Sequence, residues 1–115
     1  MYVIRQEELP YQGMSRAFIG QDHENVGISF FMVDAEPGGG PRLHKHPYPE
    51  VIIVLQGQAT CVAGDEQREL RAGDIVVVGA NQPHRFVNTR DGPLRQIDIH
   101  LSSRFITEWL ESPGD

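Results

Sequence analysis

His44 and His46 stand two residues apart, and Glu50 follows four residues after His46. In an extended chain a period of two aims both imidazoles at one side. The Pro47-Tyr48-Pro49 interruption bends the backbone and removes two amide donors, so Glu50 can return toward that side from the next strand. His84, directly after Pro83 at the head of another extended run, completes the set. Neutral imidazoles with a carboxylate suit one divalent transition ion, Mn, Fe, Co, Ni, Cu or Zn, whereas an all-oxygen set suits Mg or Ca. Three histidines and one glutamate fill four positions, so an ion preferring five or six ligands keeps exchangeable sites for water, substrate or dioxygen. The single cysteine, Cys61, supplies too little thiolate for a zinc cluster and reads as a buried, inert thiol, so nitrogen and oxygen must hold any metal.

Other side chains fall around this set. Arg42 shares strand parity with His44 and His46 and is positioned to grip a substrate carboxylate or phosphate; the alternative is an exposed strand-end arginine. Tyr48 reads either as a hydrogen-bond donor or acid reaching the pocket, beside Glu50 as proton acceptor, or as a rim tyrosine packed on proline. Gln96, Asp98 and His100 alternate with Ile97, Ile99 and Leu101, which makes one face of that strand polar, facing either the cavity or water. Asp98 and His100 are candidates for substrate binding, and Phe86 for an apolar wall. His23 lies in a polar turn and reads as solvated.

The elements that must position these groups are short. Twelve glycines and eight prolines in 115 residues punctuate brief apolar runs, the pattern of many strands joined by turns. The expected strands are Ser15–Ile19, Val26–Glu36, Arg42–His46, Val51–Gln56, Gln58–Ala63, Arg68–Leu70, Asp74–Val78, His84–Asn88 and Leu94–Leu101, with hairpin-grade turns at 63–66 and 90–93. Val51–Leu55 and Ile75–Val78 are apolar on both faces, where a half-solvated strand would alternate. Both faces want cover, and a second subunit would supply it. Only the C-terminus reads helical, with Phe105, Ile106, Trp109 and Leu110 on one side after Ser102-Ser103, and with Pro113-Gly114 as its stop. The whole reads as one all-β domain, residues 1–115, a small closed or two-sheet barrel.

Composition excludes other classes. Ten basic against sixteen acidic residues give a net charge of −6, which leaves no electrostatic footprint for nucleic acid or an anionic membrane. The longest apolar run, Val51–Leu55, falls far short of the roughly 20 residues of a bilayer span. Residues 1–8 carry neither a secretory nor a transit pattern, so a cytoplasmic protein is expected.

Gly38, His44, His46, Glu50 and Gly57 fit G(X)5HXH(X)3-4E(X)6G without a gap, and by this motif the chain resembles the cupin superfamily, in its small single-domain form. The second cupin motif, G(X)5PXG(X)2H(X)3N, aligns on Gly73, His84 and Asn88, with Gly79 where proline is usual and Asn81 where glycine is usual. Both replacements can form turns. The motifs span 38–57 and 73–88. The resemblance implies a jelly-roll, or double-stranded β-helix, barrel and a divalent metal on His44, His46, Glu50 and His84 near its mouth. It also implies, frequently, a homodimer. It does not imply one reaction. The expected function is a metal-dependent enzyme of dioxygenase or isomerase type acting on a small organic molecule; the alternative is a non-catalytic module that binds or senses a small, sugar-like ligand.

Overall fold

A computed structural model describes residues 1–111 of the chain. Its strands are β1 (Tyr11–Gln12), β2 (Ser15–Phe18), β3 (Ser29–Ala35), β4 (His44–Lys45), β5 (Glu50–Gln56), β6 (Gln58–Ala63), β7 (Glu66–Arg71), β8 (Ile75–Val78), β9 (His84–Val87), β10 (Leu94–His100) and β11 (Glu108–Trp109). They form two antiparallel sheets, one in the order β1-β2-β3-β10-β5-β8 and the other β11-β4-β9-β6-β7. Among the described residues the only helical segments are single 3-10 turns at Gln6–Glu8 and Gly20–Asp22, and no helix is long and apolar enough to cross a membrane.

The sheets close on a core of Val33, Ala35, Val54, Ala59, Leu70 and Leu94, with Cys61 and Phe86 among them. Short strands follow from the turn residues. Gly64 (φ +59°) lets β6 and β7 close a tight hairpin in which Ala63 pairs with Glu66. The segment 90–93 is not a hairpin turn: it carries the chain from β9 in one sheet to β10 in the other. Two motif positions explain themselves. Gly57 (φ +85°) turns β5 into β6 against the Pro93 carbonyl, where a Cβ would collide. Asn81, standing where glycine is usual, adopts φ +63°, a conformation asparagine tolerates.

The expected C-terminal helix is not there. Glu108 and Trp109 instead pair with Lys45 and His44, and the Leu110 amide donates to the Leu43 carbonyl at 2.9 Å. So short an amphipathic run is a marginal helix on its own. Phe105, Ile106, Trp109 and Leu110 are 41–52% exposed, so no buried stripe repays helix formation, whereas the edge of β4 offers backbone partners. The proposed stop at Pro113-Gly114 lies outside the described residues. Strand β1, which lacks an apolar pattern, was not anticipated. His23 is not free in solvent: it stacks on Phe18 at 4.3 Å between ring centroids.

Candidate metal centre

The two sheets bring the motif residues together from separate stretches. His44 on β4 pairs in register with His84 at the head of β9, both in the five-stranded sheet. Glu50 opens β5 in the six-stranded sheet, between Val78 and His100. His46 follows β4, and its carbonyl accepts from the Asn81 amide at 2.7 Å, which ties the first motif to the turn of the second. All four side chains are buried, and one ligand atom from each lies within 4.8 Å of the others.

Backbone carbonyls fix how the imidazoles present themselves. His44 Nδ1 meets the Arg42 carbonyl at 2.6 Å, His84 Nδ1 the Gln82 carbonyl at 2.8 Å and His46 Nδ1 the Ile106 carbonyl at 2.9 Å. A carbonyl only accepts, so each Nδ1 carries the hydrogen and each neutral ring turns the lone pair of Nε2 inward. His84 Nε2 and His46 Nε2 approach Glu50 Oε1 at 2.9 and 3.2 Å. Lone pairs facing a carboxylate at such distances require a cation or a proton between them, and buried His46 Nε2 has no hydrogen-bond partner. This donor set fits a divalent ion.

The electrostatics agree. Burial alone would raise the pKa of Glu50, but its contacts with His46 and His84 outweigh that and hold it well below the usual carboxylate range. Burial, opposed by the Arg42 carbonyl bond and aided by the fields of His84 and His46, lowers His44 to about 4. For His84 burial lowers the pKa, but the contact with Glu50 prevails and raises it.

Beside the four sits His100, buried on β10, its Nε2 3.5 Å from Glu50 Oε2. Burial, against the pull of Glu50, lowers it to about 4. Asp98, one inward position away, is buried, accepts a 2.7 Å hydrogen bond from Gln96, and is raised well above the usual range by burial and by the charge of Glu50. The polar face of β10 therefore looks inward. Arg42, Phe86, Asp98 and His100 all line the cavity above the four ligands, which encloses about 540 Å3. Arg42 has no carboxylate within salt-bridge distance among the described residues.

Tyr48 is placed differently. It is buried, does not line the cavity, and its hydroxyl lies 2.7 Å from His100 Nδ1 and 3.2 Å from the Ile106 amide. What sequence reasoning missed is the segment after β10. Ile106 holds His46 and Tyr48 through its backbone, Phe105 packs edge-on to Phe31 at 4.9 Å, and Trp109 lies 5.2 Å from the His44 ring. Backbone contacts of this kind leave no residue-type signal.

A family profile described as Cupin domain matches residues 31–100. The chain is a cupin. Over 108 residues, 90% of its length, this cupin is 29% identical to the HTH-type transcriptional regulator PuuR of Escherichia coli K12, of which it spans only 58%. It is 39% identical over 74 residues to the auxin-binding protein ABP19b of Prunus persica, covering 59% of this chain and 35% of that one. Among solved structures, a mutant of Bacillus subtilis oxalate decarboxylase OxdC superposes with a TM-score of 0.81 at 21% identity, over 93% of this cupin and 31% of the decarboxylase. An oxalate oxidase in complex with the substrate analogue glycolate gives 0.67 at 22% identity, over 74% and 47%. At such identities the likeness concerns the fold.

Proposed function

We propose that this cupin is a divalent-metal enzyme, of dioxygenase or isomerase type, that acts on a small organic molecule in the cytoplasm as a homodimer. The observation that carries the reading is the convergence of three carbonyl-fixed Nε2 lone pairs and an ionised Glu50 at the floor of a cavity. The ion held by His44, His46, Glu50 and His84 would polarise a carbonyl or enolate oxygen or, if redox-active, support one-electron chemistry. Manganese is a natural candidate, since the structurally similar oxalate decarboxylase of Bacillus subtilis has Mn(II) centres.

The chain's own residues define the substrate. Met14, Phe31, Val33, Phe86, Phe105 and Trp109 wall the cavity, and Arg42 stands among them. A molecule with one chelating, anionic head and an apolar body satisfies both. Arg42 orients the carboxylate by charge-assisted hydrogen bonds. Glu50 accepts a proton at Oε2, which lies 3.5 Å from His100 Nε2. Asp98, kept protonated, donates a hydrogen bond or proton to the bound molecule. Tyr48 positions His100 rather than touching substrate.

A second reading, a sensing module without catalysis, draws on the PuuR likeness across 90% of the chain. Protein purified without added ions should be analysed for metal, then assayed for product and oxygen uptake with catechols, diketones, thiols and 2-keto acids. Turnover abolished by chelator supports the enzyme. Tight binding without product supports the sensor, and neither binding nor turnover refutes both.

A further inference from the structure

The chain after β10 closes over the metal residues without burying any side chain of its own. Every residue of 101–111 is half-buried or exposed, and Phe105 and Trp109, which line the cavity, remain 45% and 52% exposed. The base of this segment is fixed: the buried Ser29 hydroxyl donates to the Ser102 carbonyl at 2.9 Å, and the Gln21 amide to the Ser103 carbonyl at 2.7 Å. Its tip is held to the edge of β4 by little. The Leu110 amide donates to the Leu43 carbonyl at 2.9 Å, Glu111 Oε1 accepts from the Leu43 amide at 2.8 Å, and the ion pairs Lys45–Glu108 and Arg85–Glu111, both at 3.6 Å, face solvent. Between base and tip the segment touches the site itself. His46 Nδ1 donates to the Ile106 carbonyl at 2.9 Å, with Thr107 Oγ1 3.1 Å from the same nitrogen, and Trp109 pairs in register with His44.

We propose that residues 104–111 form a clasp that opens and closes as one unit, and that the ion held by His44, His46, Glu50 and His84 keeps it shut. The proposal rests on the metal reading of the preceding section and adds an order to it, ion first and organic molecule second.

A segment with no buried side chain and a few solvent-facing bonds belongs to the low-stability end of a fold and opens without unfolding the barrel. The site feels that opening through one ring. His44 and His84 take the acceptor for Nδ1 from carbonyls two residues upstream, whereas His46 takes it from Ile106, 60 residues away and on the clasp. His46 is buried, and its Nε2 has no partner in the protein. With the clasp open, His46 loses the bond that decides which nitrogen faces inward, and an acceptor in that position is worth about 10–100-fold in metal affinity. Coupling of this kind is reciprocal, so an ion that binds better with the clasp closed favours the closed clasp by the same factor. Phe105 and Trp109 travel with the clasp, so the apolar wall that receives the organic molecule is complete once the ion is in place.

Trp109 is the only tryptophan, so its fluorescence reports the clasp directly, and zinc, a closed-shell ion without redox chemistry, is the probe. Saturating zinc should reduce acrylamide quenching of Trp109 and slow hydrogen exchange at the Ile106 and Leu110 amides ~10–100-fold. Leu110→Pro combined with Glu111→Ala removes both tip bonds to Leu43, so quenching of Trp109 should rise and zinc affinity should fall by up to the same factor. Lys45→Cys with Glu108→Cys, at register partners that lie about 5.5 Å apart in such a pair, should lock the clasp when oxidised and restore zinc affinity in that weakened background. The same protein reduced and alkylated should not. Quenching and exchange unchanged by bound zinc, or a clasp opened by the tip substitutions with undiminished zinc affinity, would overturn the clasp and leave the metal reading standing. A wild type that binds no zinc would overturn the metal reading and the clasp with it.

Discussion

Tyr48→Phe separates a positioning role for this residue from a catalytic one. The Ile106 amide can only donate, at 3.2 Å, so the phenol accepts from it and sends its own hydrogen to His100 Nδ1 at 2.7 Å. Burial, opposed by the Ile106 bond, raises the phenol to about 12, so that hydrogen stays in place. His100 then carries its proton on Nε2, toward Glu50. Phenylalanine keeps the ring against His46 but leaves His100 Nδ1 buried without a donor, a cost of about 1–3 kcal/mol. Ile106 is half-exposed, so its amide can turn to water and adds little. For ~2 kcal/mol and an unfolding entropy of roughly 2.1 cal/mol/K per residue, the melting temperature of a chain this size falls by about 8 °C. Ile106 also fixes His46, so metal affinity should fall about tenfold. Calorimetry of the metal-free protein and a metal titration read both. An unchanged melting temperature with lost turnover would refute this reasoning and return Tyr48 to an acid acting on substrate.

The metal-free protein should lose stability as pH falls from 6.5 toward 4. His44 and His100 have folded values near 4, below their unfolded value, so the unfolded chain takes up protons first. His84 acts oppositely, with stability lost as pH rises above 6.5 through its raised folded value, and denaturant midpoints from pH 4 to 8 will display both limbs. Asp98→Asn removes an acid whose pKa is raised by burial and by the charge of Glu50, which costs stability as pH rises above the ordinary carboxylate range, so the variant should melt at a higher temperature at neutral pH while product formation falls. Gly57→Ala meets the Pro93 carbonyl at φ +85° and should cost ~3 kcal/mol, readable as a lowered urea midpoint with unchanged slope.

Much of the site was legible because its signal is local. His44 and His46 converge by strand period, Glu50 returns after the two prolines, and Gly57 and Asn81 occupy turns that their residue types permit. The orientation of β10 was not legible. Its polar parity lies inward and its isoleucines outward, the reverse of a simple core strand, because the cavity needs polar groups and the outer face is greasy. Strand parity alone does not say which side is inside; the inward Leu94 and the pairing of Gln96 with Val33 decide it. The C-terminal segment misled for a related reason. Its apolar spacing mimics a helix, yet its place is set by main-chain bonds to His46, Tyr48 and Leu43.

X-ray absorption at the metal edge, taken with metal stoichiometry, tests the central claim most directly. One ion per chain, bound through three imidazole nitrogens and a carboxylate oxygen with further exchangeable light atoms, is the predicted result, and His84→Ala should reduce occupancy while keeping the β-sheet circular dichroism. Full occupancy in His84→Ala, or a bound ion with no histidine ligands, would contradict the account.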